Sequence, residues 1–138
     1  MKKVLSLVLV LGAVFLLAGC GNKPSTLVCS QKVSIVDVSL TTNFTGNTVS
    51  SMSMKYVMDL SRYSDSLIST VSNQDYCKTV QNAMSQYTLV DCKQALEGKS
   101  MVITSGIDIT KMSKSDLTGS PSATKEALEK QGYTCTLK

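Results

Sequence analysis

Cysteine is the residue type in this chain best suited to chemistry, because the chain has no histidine. Five cysteines are spread over 138 residues, namely Cys20, Cys29, Cys77, Cys92 and Cys135. A thiolate is a nucleophile and a metal ligand, and two thiols can join in a disulfide. Without histidine, the chain supplies neither a Ser-His-Asp nor a Cys-His catalytic group, and no histidine-ligated zinc site. The chemistry available therefore depends on the surroundings of each cysteine.

Cys20 follows a segment with the layout of a signal peptide. Lys2 and Lys3 are followed by an apolar run from Val4 to Leu17, and then by Ala18, Gly19 and Cys20. The apolar run is shorter than the roughly 20 residues of a membrane-spanning helix and has the usual length for a signal peptide. The ending Leu-Ala-Gly-Cys resembles the lipobox of bacterial lipoproteins. The resemblance implies cleavage after residue 19 and lipidation of Cys20; an ordinary secretory signal or an uncleaved anchor helix is the alternative.

The lipobox implies three segments and a compartment. Residues 1–19 are the expected signal peptide, residues 20–25 the lipidated cysteine and its tether, and residues 26–138 a single domain. The expected location is extracytoplasmic, with the chain anchored to the cell membrane by lipid on Cys20, or to the outer membrane if the host has one. Loss of Lys2 and Lys3 lowers the net charge from +4 to +2. That charge is too small, and the lysines too scattered, to indicate a nucleic-acid partner.

Alternation of apolar and polar side chains predicts the strands. One inward-facing set is Val36, Val38, Leu40, Thr42 and Phe44, and the next is Met52, Met54, Tyr56, Met58 and Leu60. Thr45-Gly46-Asn47 provides the turn of this hairpin. A second hairpin joins Leu89–Leu96 to Met101–Ile109 through Glu97-Gly98-Lys99, with a bulge or bend expected at Ser105 and Gly106. Short extended pieces are expected at residues 26–30 and 134–137.

Two helices are predicted between and after the hairpins. The first begins near Asp75, with Asn73 as its N-cap, and a helical turn is expected before it at residues 65–71. The last helix begins with Ser120 and Pro121 and ends before Gly132. Its expected buried stripe is Ala123, Ala127 and Leu128, and its expected ion pair is Glu126 with Lys130.

This order of elements predicts an α+β fold: an antiparallel sheet built from two β-hairpins, two helices on one face and a short C-terminal strand. Four cysteines outside the cytoplasm predict two disulfides. We favour Cys77–Cys92, because the two lie 15 positions apart on the first helix and the strand after it, and Cys29–Cys135, which would join the two ends of the domain. The other two pairings stay open. No C-x-x-C spacing is present, which disfavours thioredoxin-like chemistry and a zinc ribbon.

Several short motifs resemble a known group of proteins. The lipobox, the hairpin ending in Met58-Asp59-Leu60-Ser61, the pair Asp91-Cys92 and the segment from Glu129 to Cys135 together resemble the YehR-like small lipoproteins, found mostly in Gram-positive bacteria. The resemblance implies an α+β fold and no known activity. The cysteines depart from the pattern of that group.

The methionine stripe is the remaining candidate for chemistry. Met52, Met54 and Met58, with Met84 and Met101, are expected to fill a sheet core; Cu(I) binding or an adaptable apolar groove are the alternatives. The carboxylates show no pair suited to hydrolysis, and we therefore expect no enzymatic activity. We also expect no bound metal and no cofactor. We expect a lipid-anchored domain that binds an envelope protein, peptide or small ligand, through the Met face or the helix at residues 75–87. An envelope hydrolase using Asp, Glu, Ser, Tyr or Lys, or a purely structural lipoprotein, is the alternative.

Overall fold

The structure is a computed structural model that describes residues 23–138. The predicted signal peptide, the lipidation site Cys20 and most of the tether lie outside the described residues. Within residues 23–138, no helix is long and apolar enough to cross a membrane.

The described chain has an α+β fold built on one antiparallel sheet of six strands, so the predicted α+β class with an antiparallel sheet is confirmed. The spatial order of the strands is β4-β5-β3-β2-β1-β6. Their bounds are β1 (Pro24–Val33), β2 (Val36–Thr45), β3 (Thr48–Asp59), β4 (Leu89–Glu97), β5 (Ser100–Ile107) and β6 (Thr134–Leu137). Positive backbone φ angles at Gly46 and Gly98 form the tight turns after β2 and β4, a conformation that glycine adopts without steric cost.

The first strand is longer than the sequence predicts. The predicted extended piece at residues 26–30 is a ten-residue strand, β1, and it pairs with both β2 and β6. Only Leu27 and Cys29 are buried in it, so its apolar alternation is too short to predict ten residues. Pairing with β2 along all ten residues extends the strand where its own side chains do not, because the neighbouring strand satisfies one row of its backbone groups. Strand β6 pairs only with the middle of β1, at residues 27–30.

Residues 23–138 form three α-helices, whereas the sequence predicts two. They are α1 (Asp65–Ser72), α2 (Tyr76–Ala83) and α3 (Pro121–Glu129), with a short 3-10 helix at Ile109–Lys111. α1 was expected only as a helical turn. The Ser64 hydroxyl accepts a hydrogen bond from the Leu67 amide at 3.3 Å, and burial of Ile68 holds the helix to the sheet. A single buried residue in a polar segment gives little helical periodicity to detect.

Two local predictions in α2 and α3 were wrong. The N-cap of α2 is Asp75, whose carboxylate accepts from the Lys78 amide at 2.9 Å, whereas Asn73 closes the end of α1. An aspartate is as good an N-cap as an asparagine, so only the position distinguishes them. In α3, Lys125 and Glu129 form the ion pair, at 3.8 Å, in place of Glu126 and Lys130.

The start of α3 agrees with its prediction, but its buried stripe is shifted. Ser120 is the N-cap and Pro121 opens the helix. The buried residues of the helix are Thr124 and Leu128, while Ala123 and Ala127 are only half-buried. Thr124 tolerates burial because its hydroxyl donates to the Ser120 carbonyl at 3.0 Å, which satisfies its polar group.

The core consists of two apolar clusters. The larger joins strand residues such as Phe44, Met52 and Met54 to Met84, which closes α2, and to Leu128 of α3. The smaller is formed by Leu60, Ile68, Met101 and Ile103, and it includes the buried side chain of α1. Tyr56 packs against both clusters and so connects them.

Candidate functional site

The described chain begins at one end of the sheet, beside its own C-terminus. The Gly46 amide donates to the Lys23 carbonyl at 3.0 Å. Thr26 and Lys138 exchange two backbone hydrogen bonds of 2.9 Å each. Any tether that precedes Lys23 therefore leaves the domain at the end that carries the β2–β3 turn and the C-terminus.

Disulfides join the four cysteines that follow Cys20, in the pairing that the sequence analysis favours. The sulfurs of Cys29 and Cys135 are 2.05 Å apart, and those of Cys77 and Cys92 are 2.08 Å apart. Cys29 and Cys135 lie directly opposite each other on β1 and β6 and are both buried. Cys77 on α2 and Cys92 on β4 are half-buried. These cysteines have a structural role, because their sulfurs are already bonded to each other.

The methionine stripe is part of the core. Met52, Met54, Met84 and Met101 are all buried, with exposures of 8% or less. Their partners are other apolar side chains. The expectation that these four methionines fill a sheet core is therefore confirmed, and their side chains form no exposed contact surface. Within residues 23–138, no group of three or more Cys, Asp or Glu side chains is placed to hold a metal ion.

The opposite side of the same strands is polar and accessible around Ser53 and Lys55, while the next row carries Val57 and the buried Val102. Successive side chains of a strand point to opposite faces, so Ser53 and Lys55 of β3 project away from Met52 and Met54. The pairing registers carry this polar surface over four strands: Ser39 and Thr41 of β2 lie opposite residues of β3, and Thr104 of β5 and Lys93 of β4 continue it. We call this surface the open face, defined by Ser39, Thr41, Ser53, Lys55, Lys93 and Thr104. Its members are half-buried or exposed.

A shallow depression of about 400 Å³ lies on the open face. Its lining comprises the six residues of the open face together with Met54, Asp91, Ser105 and Gly106. The lining thus contributes two ammonium groups, one carboxylate and several hydroxyls. Such a set can bind an anion and hydrogen-bond to its neighbouring groups, but it offers no general acid or nucleophile activated by a base.

A bulge in β4 shapes the rim of this depression. The register between β4 and β5 shifts between Val90 and Lys93, so that β4 has two residues opposite one residue of β5. Asp91 lies in this bulge with a φ of 53°, a conformation that aspartate tolerates better than most residues. The Ser105 hydroxyl donates to the Val90 carbonyl at 3.0 Å and satisfies a group that the bulge frees. The irregularity was predicted on β5, at Ser105 and Gly106, but it lies on the facing strand.

Gly106 allows the two strands to approach beside this bulge. A Cβ atom at Gly106 would lie 3.0 Å from the Cγ2 atom of Val90. The absence of a side chain at this position therefore lets the two strands approach closely. A larger residue would collide with Val90 across the strand pair.

A second depression, of about 300 Å³, lies at the other end of the sheet. It is lined by Lys32, Ser34, Ile35, Asp59, Arg62 and Tyr63. Here two of the three charged groups already have partners: Lys32 pairs with Asp37 at 3.8 Å, and the Asp59 carboxylate accepts from the Ser61 amide at 2.9 Å. This depression is therefore the weaker candidate for a binding site.

The shifted pKa values do not favour acid–base catalysis. Hydrogen bonds from Ser61 lower the pKa of Asp59, and a hydrogen bond from the Thr110 side chain lowers that of Asp108. A general acid of a hydrolase needs a raised carboxyl pKa. The raised values belong instead to tyrosines, where burial raises the pKa of Tyr56, Tyr76, Tyr87 and Tyr133.

Comparison with known proteins adds a distant structural likeness. The search against protein-family models finds no match, and the search of curated proteins finds none. The chain is similar to a protein from Streptococcus pneumoniae whose structure was determined by NMR, with 16% identity and a TM-score of 0.45. The match covers 90% of this chain and 92% of the other.

The open face could not be assembled from the sequence. Lys55 and Thr104 are 49 positions apart along the chain, and they meet only because β3 pairs with β5. The alternation in β3 does assign Lys55 to the polar face. What the sequence lacks is any signal for the strand order that places β5 beside β3. Lys93 and Thr104, by contrast, belong to the two arms of the second predicted hairpin.

Proposed function

We propose that this protein is a lipid-anchored binding domain at the outside of the cell membrane and that it binds its partner or ligand through the open face. The observation that carries the proposal is the depression on that face, lined by two lysines, an aspartate and several hydroxyls. The proposed anchor is Cys20, acylated after removal of residues 1–19. Two or more acyl chains on one cysteine suffice for stable membrane attachment.

The position of the first described residues supports this anchoring. Lys23 lies three residues after Cys20, a distance of about 10 Å at most in extended chain. The sheet end with Lys23, Gly46 and Lys138 would therefore lie next to the lipid surface. Strands of ten residues extend for about 34 Å. The β1–β2 turn, and the half of the open face nearer to that turn, would therefore lie away from the membrane.

We also propose that all three helices cover the face that carries Met52 and Met54. Ile68 of α1, Met84 at the end of α2 and Leu128 of α3 each pack in an apolar cluster with strand residues. That arrangement would leave the opposite face for binding. The resemblance to the YehR-like lipoproteins remains part of the proposal, and it adds no activity.

An envelope hydrolase has less support. The two aspartates with shifted pKa values are ionised more readily than usual, and neither lines the depression. A purely structural lipoprotein would need no cluster of charged side chains that, among residues 23–138, form no ion pair on an exposed sheet face.

Photo-crosslinking in living cells tests the binding face. A photoreactive phenylalanine derivative is placed at Ser53 on the open face and, in a matched variant, at exposed Thr79 on α2. We expect one discrete adduct from the Ser53 position and none from the Thr79 position. Equal adducts at both positions, or none at Ser53, would contradict binding through the open face.

A further inference from the structure

Two lysines flank a threonine in one row across three strands of the open face. Lys55 of β3 is paired in register with Thr104 of β5, and Thr104 with Lys93 of β4. Neighbouring strands lie about 4.8 Å apart, so the two lysine Cα atoms are separated by about 10 Å. Both long side chains leave the same surface on either side of one hydroxyl, and both line the depression.

These two ammonium groups have no charged partner in the described part of the chain. Other lysines do: Lys32 lies 3.8 Å from Asp37, Lys99 lies 3.4 Å from Asp65, and Lys125 lies 3.8 Å from Glu129. Neither Lys55 nor Lys93 forms a comparable ion pair. Two ammonium groups on one surface can both contact a single oxyanion placed between them, and charge-assisted hydrogen bonds of this kind are the stronger ones.

The rest of the lining adds hydrogen-bonding groups. Ser39, Thr41, Ser53 and Thr104 each carry a hydroxyl, which both donates and accepts. Asp91 carries the carboxylate of the lining, and a carboxylate accepts hydrogen bonds from hydroxyl groups. The lining contains no aromatic ring on which a neutral sugar could stack. Recognition here would therefore rely on charge and hydrogen bonds.

We infer that the open face binds a sugar or polyol that carries a phosphate or carboxylate group. This inference rests on the proposed function and specifies the ligand of the same site. Lys55 and Lys93 contact the oxyanion with Thr104 between them, and Asp91 with the serine and threonine hydroxyls contacts the ligand's own hydroxyls. Both halves are needed, because two exposed lysines alone hold a free anion weakly.

Four probes separate the two halves of this ligand. They are glucose 6-phosphate, glucuronate, glucose and inorganic phosphate, titrated against the lipidated protein in nanodiscs of uncharged phosphatidylcholine. Amide NMR shifts of residues 53–55, 91–93 and 104–106 report binding. We expect glucose 6-phosphate or glucuronate to bind at least about tenfold more tightly than glucose or inorganic phosphate, as expected for an added charge-assisted contact. Whichever of the two binds more tightly identifies the oxyanion.

Matched variants test the residues. Lys55→Gln with Lys93→Gln should weaken binding of the preferred probe about tenfold or more. Lys78→Gln with Lys114→Gln removes the same charge from exposed positions elsewhere and should leave binding unchanged. Asp91→Asn, which tolerates the same backbone conformation, should reduce the advantage of glucose 6-phosphate over inorganic phosphate.

The inference is overturned if neither anionic sugar shifts these amides, if glucose binds equally well, or if both double variants lose binding equally. An adduct at Ser53 in cells combined with no response to the four probes would overturn the ligand assignment alone. The absence of both would remove the proposed function as well.

Discussion

Tyr56 connects the stability of the sheet to alkaline pH. Its ring packs against both apolar clusters, and its hydroxyl donates to the Met84 sulfur at 3.8 Å. Burial raises the pKa of Tyr56 above the ordinary value of 10.0, and the nearby Tyr133 raises it further. In the unfolded chain the same hydroxyl has no such surroundings. It therefore loses its proton at a lower pH in the unfolded chain than in the folded protein.

Replacing Tyr56 by phenylalanine should flatten this pH dependence. The neutral buried tyrosine contributes its full stabilisation below pH 10, and the contribution is lost as the pH rises through the raised folded value. Urea unfolding at pH 8 and pH 11 measures the free energy of unfolding. Between these two values we expect a smaller loss for Tyr56→Phe than for the unaltered protein. Tyr63→Phe, at an exposed ring, is the control; an equal effect from both variants would contradict this role of burial.

At the scale of the elements, the two disulfides differ in how easily a reductant can reach them. Cys29 and Cys135 have exposures of 1% and 8% and join β1 to its neighbour, the edge strand β6. Cys77 and Cys92 are half-buried and join α2 to the other edge strand, β4. The first closes a loop of 106 positions and the second a loop of 15.

Mild reduction should open Cys77–Cys92 before Cys29–Cys135, because access limits thiol attack on a folded protein. Alkylation followed by mass spectrometry identifies which cysteines are freed first. Replacing both Cys77 and Cys92 by serine should lower the free energy of unfolding by about 3 kcal/mol, and replacing the other pair by about 4.7 kcal/mol. Earlier labelling of Cys29 and Cys135 would show that β6 detaches more easily than its burial implies.

The elements also show which parts of the fold a sequence can predict. Strict alternation in β2 and β3 assigns both strands and their inward faces, because each faces a core on one side and water on the other. Strand β1 and helix α1 were underestimated. The first depends on pairing with β2 along its whole length, and the second depends on one buried residue, Ile68. Both are stabilised by tertiary contacts that local patterns do not contain.

At the scale of the whole molecule, the site depends on strand order. Lys55, Thr104 and Lys93 come from three strands, and only the order β4-β5-β3 makes them neighbours. The composition of each strand predicts a polar face, while the meeting of two lysines on it follows from pairing between distant segments. The sequence could therefore indicate that a polar face exists, but not which charges meet there.

The reactivity of individual lysines in the cell envelope shows whether the anchored domain has an occupied open face. Intact cells and purified protein are labelled with a membrane-impermeable amine-reactive reagent, and each lysine is quantified by mass spectrometry. We predict that Lys55 and Lys93 react more slowly in the envelope than in the purified protein, while the exposed Lys78 reacts equally in both. Cys20→Ser should abolish palmitate incorporation and remove the protection of Lys55 and Lys93. Equal reactivity of all three lysines in both settings would contradict an anchored domain whose open face is occupied.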